Sequence, residues 1–169
     1  MLTRMYETAK LTRDAETDPL TQLANRRTYD RALSTLQEGD AVVIVDLDHF
    51  KSVNDRFGHD EGDRTLRVLG QCLRSVSRQV DTVARYGGEE FALVLADAGV
   101  EGARAALRRL RRAWHAHSPI TTFSAGVAVH QQGSTPQETL QRADIALYRA
   151  KEHGRNRDEV AAAGEVVLP

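Results

Sequence analysis

The chain has 169 residues, of which 41% are apolar and 28% charged, and its formal net charge is −1. That length buries one core of ordinary size, and that balance is globular rather than disordered. A net charge near zero offers no basic field to a nucleic-acid polymer, the lone Cys72 excludes an internal disulfide, and no apolar run approaches the ~20 residues of a membrane-spanning helix. The matching expectation is a cytoplasmic domain, free or belonging to a larger, membrane-attached protein.

Residues 1–17 are polar, with Leu2, Met5 and Ala9 at coiled-coil-like spacing, and read as the end of a linker helix entering from a preceding domain. Asp18-Pro19-Leu20-Thr21 combines capping residues with a proline. A helix is therefore predicted over residues 21–36, with Leu23, Tyr29, Leu33 and Leu36 inward. Ala41-Val42-Val43-Ile44-Val45 has the composition of a strand buried on both faces, and it runs into Asp46-Leu47-Asp48. A short irregular helical piece follows over residues 49–58. A strongly periodic helix comes next, with Leu66, Leu69, Leu73, Val76 and Val80 on one stripe.

Two β-type runs, 81–86 and 91–95, then flank Gly87-Gly88. They read as a hairpin, because glycine accepts the positive φ of tight turns and lets a ligand approach the backbone. Val100, Ala103, Leu107, Leu110 and Trp114 mark another helix, and residues 120–129 another strand. A last helix over residues 136–152 turns Leu140, Ala143, Leu147 and Tyr148 inward and ends at His153-Gly154. A short strand near residues 158–160 and a loose tail over 161–169 complete the chain. Helices and strands alternate around one hairpin, which predicts an α+β domain over residues 18–160, a mixed sheet with helices packed on it.

The carboxylates carry the chemistry. Asp46 ends one buried strand, and Asp48 either shares its face or lies past the strand's end. Glu89 and Glu90 open another strand. Strands around a hairpin tend to be neighbours, so these acids converge. Oxygen ligands without histidine or cysteine suit Mg²⁺ or Mn²⁺ rather than zinc, and Mg²⁺ held by few carboxylates usually shares phosphate oxygens with a substrate. Phosphoryl or nucleotidyl transfer follows, with two metals per site as an option. Lys51, Lys151 and Arg155 are candidate phosphate cations. Asn54 and Asp63 offer an amide and a carboxylate to a base edge, although taken singly each reads as an ordinary helix-end residue.

Arg85-Tyr86-Gly87-Gly88-Glu89-Glu90-Phe91 resembles the signature of GGDEF diguanylate cyclases, in its GGEEF form. Asp18 to Arg27, Asp46 to Asp55, Gly58 to Asp63 and Asp144 to Asn156 resemble four further blocks of that family, in order and spacing. The resemblance implies a ferredoxin-like βαββαβ core, related to class III nucleotidyl cyclases and the polymerase palm. It implies condensation of two GTP into cyclic di-GMP with release of two pyrophosphates, by two domains facing each other in a homodimer.

By the same resemblance, Asp46, the Leu47 carbonyl, Glu89 and Glu90 hold Mg²⁺ (or Mn²⁺), two ions per site. Glu89, Glu90 and Lys51 are catalytic. Gly87 and Gly88 admit the nucleotide, Asn54 and Asp63 read guanine, and Phe50, Lys51, His59, Lys151 and Arg155 line sugar and phosphates. Arg78-Gln79-Val80-Asp81 stands at the spacing of the family's product-inhibition motif, with Arg109 (or Arg108) as its partner. Two other classes stay open: a sensor that binds nucleotide without turnover, and a dimerisation module. No contact with a nucleic-acid polymer or a membrane is expected.

Overall fold

A computed structural model of the protein describes residues 16–165. The segment read as a linker helix therefore lies almost wholly outside the described residues, as does the end of the tail. The elements are α1 (Arg26–Leu33), β1 (Ala41–Leu47), α2 (Phe50–Phe57), α3 (His59–Val76), β2 (Thr82–Arg85), β3 (Glu90–Leu95), α4 (Gly99–Ala116), β4 (Phe123–Val129), α5 (Pro136–Glu152) and β5 (Asp158–Val160). The five strands form one sheet in the order β2-β3-β1-β4-β5. All neighbours are antiparallel except β4 and β5, which run parallel. β1 to β4 with their two crossovers are the expected ferredoxin-like core, and β5 extends its edge.

β1 lies in the middle of the sheet, and all seven of its residues are buried, as its unbroken apolar composition demands. Val43, Val45 and Leu47 face the core under α2, α3 and α4. Val42 and Ile44 face a second core against Tyr29 and Leu33 of α1 and Ala143 and Leu147 of α5. Strand alternation puts Asp46 on that second face. Gly126 lets α5 come close, since a Cβ there would stand 2.1 Å from the Ala143 carbonyl oxygen and 2.3 Å from the Leu147 amide nitrogen.

Several boundaries differ from expectation, each for a local reason. The first helix begins at Arg26, capped by Asn25, whose side chain accepts the Thr28 N–H. Asp18 instead closes a turn of its own, its Oδ2 accepting the Thr21 N–H and hydroxyl at 2.8 and 2.7 Å. Val80 is 68% exposed, because α3 stops at Val76. Tyr148 points outward, 64% exposed, and Ile120 precedes its strand at 45% exposure. In residues 161–165 the Ala161 N–H donates to the Val127 carbonyl, and Glu165 pairs with Arg149.

Candidate active site

The site gathers where β1 ends. Asp46 lies directly across from Glu90 of β3 and Ser124 of β4 in the sheet register. Lys151, in the last turn of α5, reaches down to it with Nζ 3.1 Å from Oδ1. The Asp46 carboxyl is nevertheless pushed up to about 6. Burial is the chief cause; the Lys151 hydrogen bond and charge pull the other way, and Glu89 and Glu90 add to the rise. A carboxylate is thus held out of water, with one lysine against three acids.

The signature hairpin is clamped from two sides. Tyr86 and Gly87 N–H groups donate to the Glu90 carbonyl at 2.8 and 3.1 Å, and the Arg85 guanidinium holds the Gly88 carbonyl at 2.7 Å. The Leu47 N–H reaches the Glu89 carbonyl at 3.3 Å, tying the turn to the end of β1. Neither Gly87 nor Gly88 has a positive φ, so the expected backbone reason for them does not apply. A Cβ on Gly87 would stand 3.0 Å from Glu90 Oε2, and the space over Gly88 is open. The opening block of the chain supports this turn: Asp18 pairs with Arg85 at 3.3 Å, and the Arg26 guanidinium lies 4.6 Å from the centre of the Tyr86 ring.

Asp48 is a girder. It is 2% exposed. Its oxygens accept the Thr122 and Ser124 hydroxyls and the Asn156 N–H at 2.5, 2.7 and 3.1 Å. Both readings of Asp46 and Asp48 thus meet halfway: both are buried, but only Asp46 opens towards the hairpin acids. Around this girder the backbone is strained, with His49, Arg155 and Asn156 at φ of 53°, 61° and 50°. Such conformations persist where surrounding structure enforces them and cluster at working sites.

Asn54 and Asp63 come from consecutive helices joined at Gly58. A Cβ on Gly62 would meet Asn54 Oδ1 at 1.9 Å and the Phe50 ring at 3.3 Å. The absent side chain of Gly62 therefore seats Asn54 and Phe50 against α3, one residue from the half-exposed Asp63. His59 is exposed at the start of α3. Two expected cations point elsewhere: Lys51 binds Asp55 at 2.6 Å in solvent, and the exposed Arg155 guanidinium lies 3.4 Å from the Lys151 carbonyl.

Arg78 and Asp81 form a closed turn. Asp81 Oδ2 accepts the Arg78 N–H and Nε at 2.8 and 3.1 Å, while Oδ1 accepts Nη2 and the Ala96 N–H at 2.8 and 3.1 Å. Burial would raise the Asp81 carboxyl, but these donors outweigh it and hold it below the usual range. The Asp81 side chain is only 3% exposed, so Arg78 presents the accessible surface of this pair. Arg109 donates to the Val76 carbonyl at 3.1 Å, which brings it to the same end of α3; Arg108 is exposed on α4.

Three features were invisible to sequence reasoning: the Lys151–Asp46 pair, the Asp48–Asn156 link and the seat at Gly62. Only the last left a local signal, a glycine inside a helix beside a carboxylate. Among the described residues no three acidic, histidine or cysteine side chains form a ready-made metal cage. The donors present are all oxygens with surplus negative charge, which fits a hard divalent cation that completes its shell from a substrate. Among the described residues no helix is long and apolar enough to cross a membrane.

Residues 15–157 match the family described as "Diguanylate cyclase, GGDEF domain". The chain is 42% identical over 163 residues to diguanylate cyclase DgcP of Pseudomonas aeruginosa, covering 87% of this chain and 24% of that protein. It is 40% identical over 161 residues to the response regulator PleD of Caulobacter vibrioides, covering 84% and 35%. It thus spans less than half the length of these curated relatives. Among solved structures, the coiled coil and GGDEF domain of DgcB from Caulobacter crescentus, in complex with c-di-GMP, superposes with a TM-score of 0.87 at 30% identity. That match covers 95% of this chain and 93% of the other. The family match over residues 15–157 and the relatives at 42% and 40% identity show that the chain belongs to the GGDEF domain family.

Proposed function

We propose that this domain is a diguanylate cyclase that condenses two GTP into cyclic di-GMP and releases two pyrophosphates. The observation that carries the reading is the placement of Asp46 opposite Glu90, with Glu89 in the turn above, at the open end of the central strand. Relatives at this level of identity bear the name diguanylate cyclase, which supports it. GGDEF diguanylate cyclases in general depend on a divalent metal. Here Asp46, the Leu47 carbonyl, Glu89 and Glu90 would hold Mg²⁺ or Mn²⁺, two ions per site. Bound there, the metal neutralises charge developing on the α-phosphate.

The chain's own residues do the rest. Asn54 and Asp63 accept and orient the guanine edge, and a carboxylate there favours guanine's ring N1–H and 2-amino group, neither of which adenine has. Phe50 seats beneath, and His59 flanks the sugar. Gly88 leaves the turn open to the nucleotide. Lys151, Arg155 and Lys51, once it leaves Asp55, meet the phosphates. Glu89 takes the proton of the attacking 3′-hydroxyl, with Glu90 beside it.

One site holds one GTP, so two domains must face each other, and bringing two bound reactants into line is the main catalytic lever. Product returns to Arg78, with Arg109 beside it and Asp81 holding the arginine in place, and slows the enzyme. Concentrated protein incubated with GTP and Mg²⁺ should yield cyclic di-GMP, with a rate rising more steeply than linearly in protein, and Glu89→Ala should yield none. GTP bound but unconverted at every concentration would reject turnover and leave a nucleotide sensor.

A further inference from the structure

The Lys151–Asp46 pair has no place in substrate binding as such, because a lysine bound to a metal-holding carboxylate occupies the position of the cation it would have to welcome. We infer that Lys151 is an internal counter-ion for the metal site. It holds Asp46 until a divalent cation arrives and is released by that cation to the solvent side, where nucleotide phosphates bind. The inference rests on the reading of Asp46 as a metal ligand and deepens it.

The geometry supplies the parts. Lys151 Nζ lies 3.1 Å from Asp46 Oδ1, and the two side chains are 32% and 7% exposed. The carboxylate is therefore the buried partner, and the ammonium stands at the mouth. Glu90 is across the strand, and Glu89 is in the adjoining turn. Lys151 is the one cation paired with Asp46 among the described residues, since Lys51 is drawn to Asp55 and Arg85 to Asp18 and Gly88. A lysine stem carries four rotatable bonds, so the ammonium leaves Asp46 without moving α5.

Two cations cannot share one carboxylate oxygen at full strength, so lysine and metal compete. Release of Lys151 in turn frees a positive charge for the triphosphate. Metal and nucleotide then assist each other, and by reciprocity each tightens the other by the same factor. A bare metal binds poorly, and a bare nucleotide finds its lysine engaged.

The test is Mn²⁺ binding without nucleotide, followed by electron paramagnetic resonance, in the wild type, Lys151→Met and Asp46→Asn. Lys151→Met should bind Mn²⁺ at least about fivefold tighter than the wild type, the low end of common coupling between two ligands. Asp46→Asn should lose the site. If Asp46→Asn loses the site while Lys151→Met binds no tighter than the wild type, the counter-ion role is overturned and the metal reading stands. Unchanged Mn²⁺ binding in Asp46→Asn would overturn both.

A measurement on the unaltered protein guards against a variant that folds poorly. Mn²⁺ alone should speed acylation of Lys151, read by peptide mass spectrometry, relative to Lys51. Equal rates with and without Mn²⁺ would also overturn the inference.

Discussion

Asp46 and Asp81 are both buried carboxylates at the ends of sheet strands or turns, and they are shifted in opposite directions. Asp81 receives four hydrogen bonds from Arg78 and Ala96, which more than offset its burial. Asp46 has one lysine and faces two further acids, and it sits near 6. The same side chain is therefore a rivet in one place and an under-compensated charge in the other. A fold tolerates such a charge where a ligand supplies the missing partner. The contrast separates the turn at Arg78, which the fold completes by itself, from the end of β1, where burial and two neighbouring acids outweigh one lysine.

The contrast can be broken by removing either carboxylate. Asp81→Ala should destabilise the domain by about 3 kcal/mol, because it removes a buried carboxylate that accepts four hydrogen bonds and orphans the Ala96 N–H. Chemical denaturation measures it, and a loss within error of zero would make Asp81 a surface residue in energetic terms. Asp46→Asn should act in the other sense. It relieves burial and repulsion together and should stabilise the metal-free protein by on the order of 2 kcal/mol near neutral pH while abolishing turnover. A destabilised Asp46→Asn would show that the lysine pair outweighs both.

The pH dependence sharpens the same point. A carboxyl raised in the folded state favours folding while protonated. Asp46 therefore contributes stability that is fully present below its ordinary 3.8 and is lost as pH rises through about 6. Wild type and Asp46→Asn should match at the acid end of that window and diverge across it, with the variant ahead. Asp81 is lowered, so its contribution is present above the ordinary carboxylate range and fades as pH falls through its depressed folded value. Asp81→Asn should remove that acid-side loss. A smaller effect is expected at Gly62. Gly62→Ala must displace Asn54, and should weaken GTP binding by about tenfold, equivalent to roughly 1.4 kcal/mol, with less effect on the Mn²⁺ site. Equal losses at both would mean that α3 itself had shifted.

How far the sequence could be read depended on the range of the interactions. β1 was legible because a run of five apolar residues, four of them β-branched, has few other uses, and the hairpin because strands flank its glycines. The helix boundaries at Thr21 and Val80 differ for separate reasons: Asp18 spends its oxygens on a turn, which resembles a cap from its neighbours alone, whereas Val80 keeps the apolar spacing after the helix has stopped at Val76. The sense of Gly87-Gly88 was half legible, since ligand room and positive φ favour the same residue and only coordinates separate them. The candidate acids were legible by type and spacing together with a resemblance. What those acids pair with was not, because Lys151 meets Asp46, and Asn156 meets Asp48, across more than a hundred residues of chain.

The fold compensates Asp46 only in part, through Lys151, and Asp81 in full, through Arg78 and Ala96. Carboxyl ¹³C NMR of the metal-free protein, titrated from acid to neutral pH, tests it at both residues at once. Asp46 should titrate near 6 and Asp81 below its ordinary range, and Mg²⁺ should shift only the Asp46 curve towards acid. Two curves that coincide at the ordinary aspartate value, with neither moved by Mg²⁺, would contradict the account.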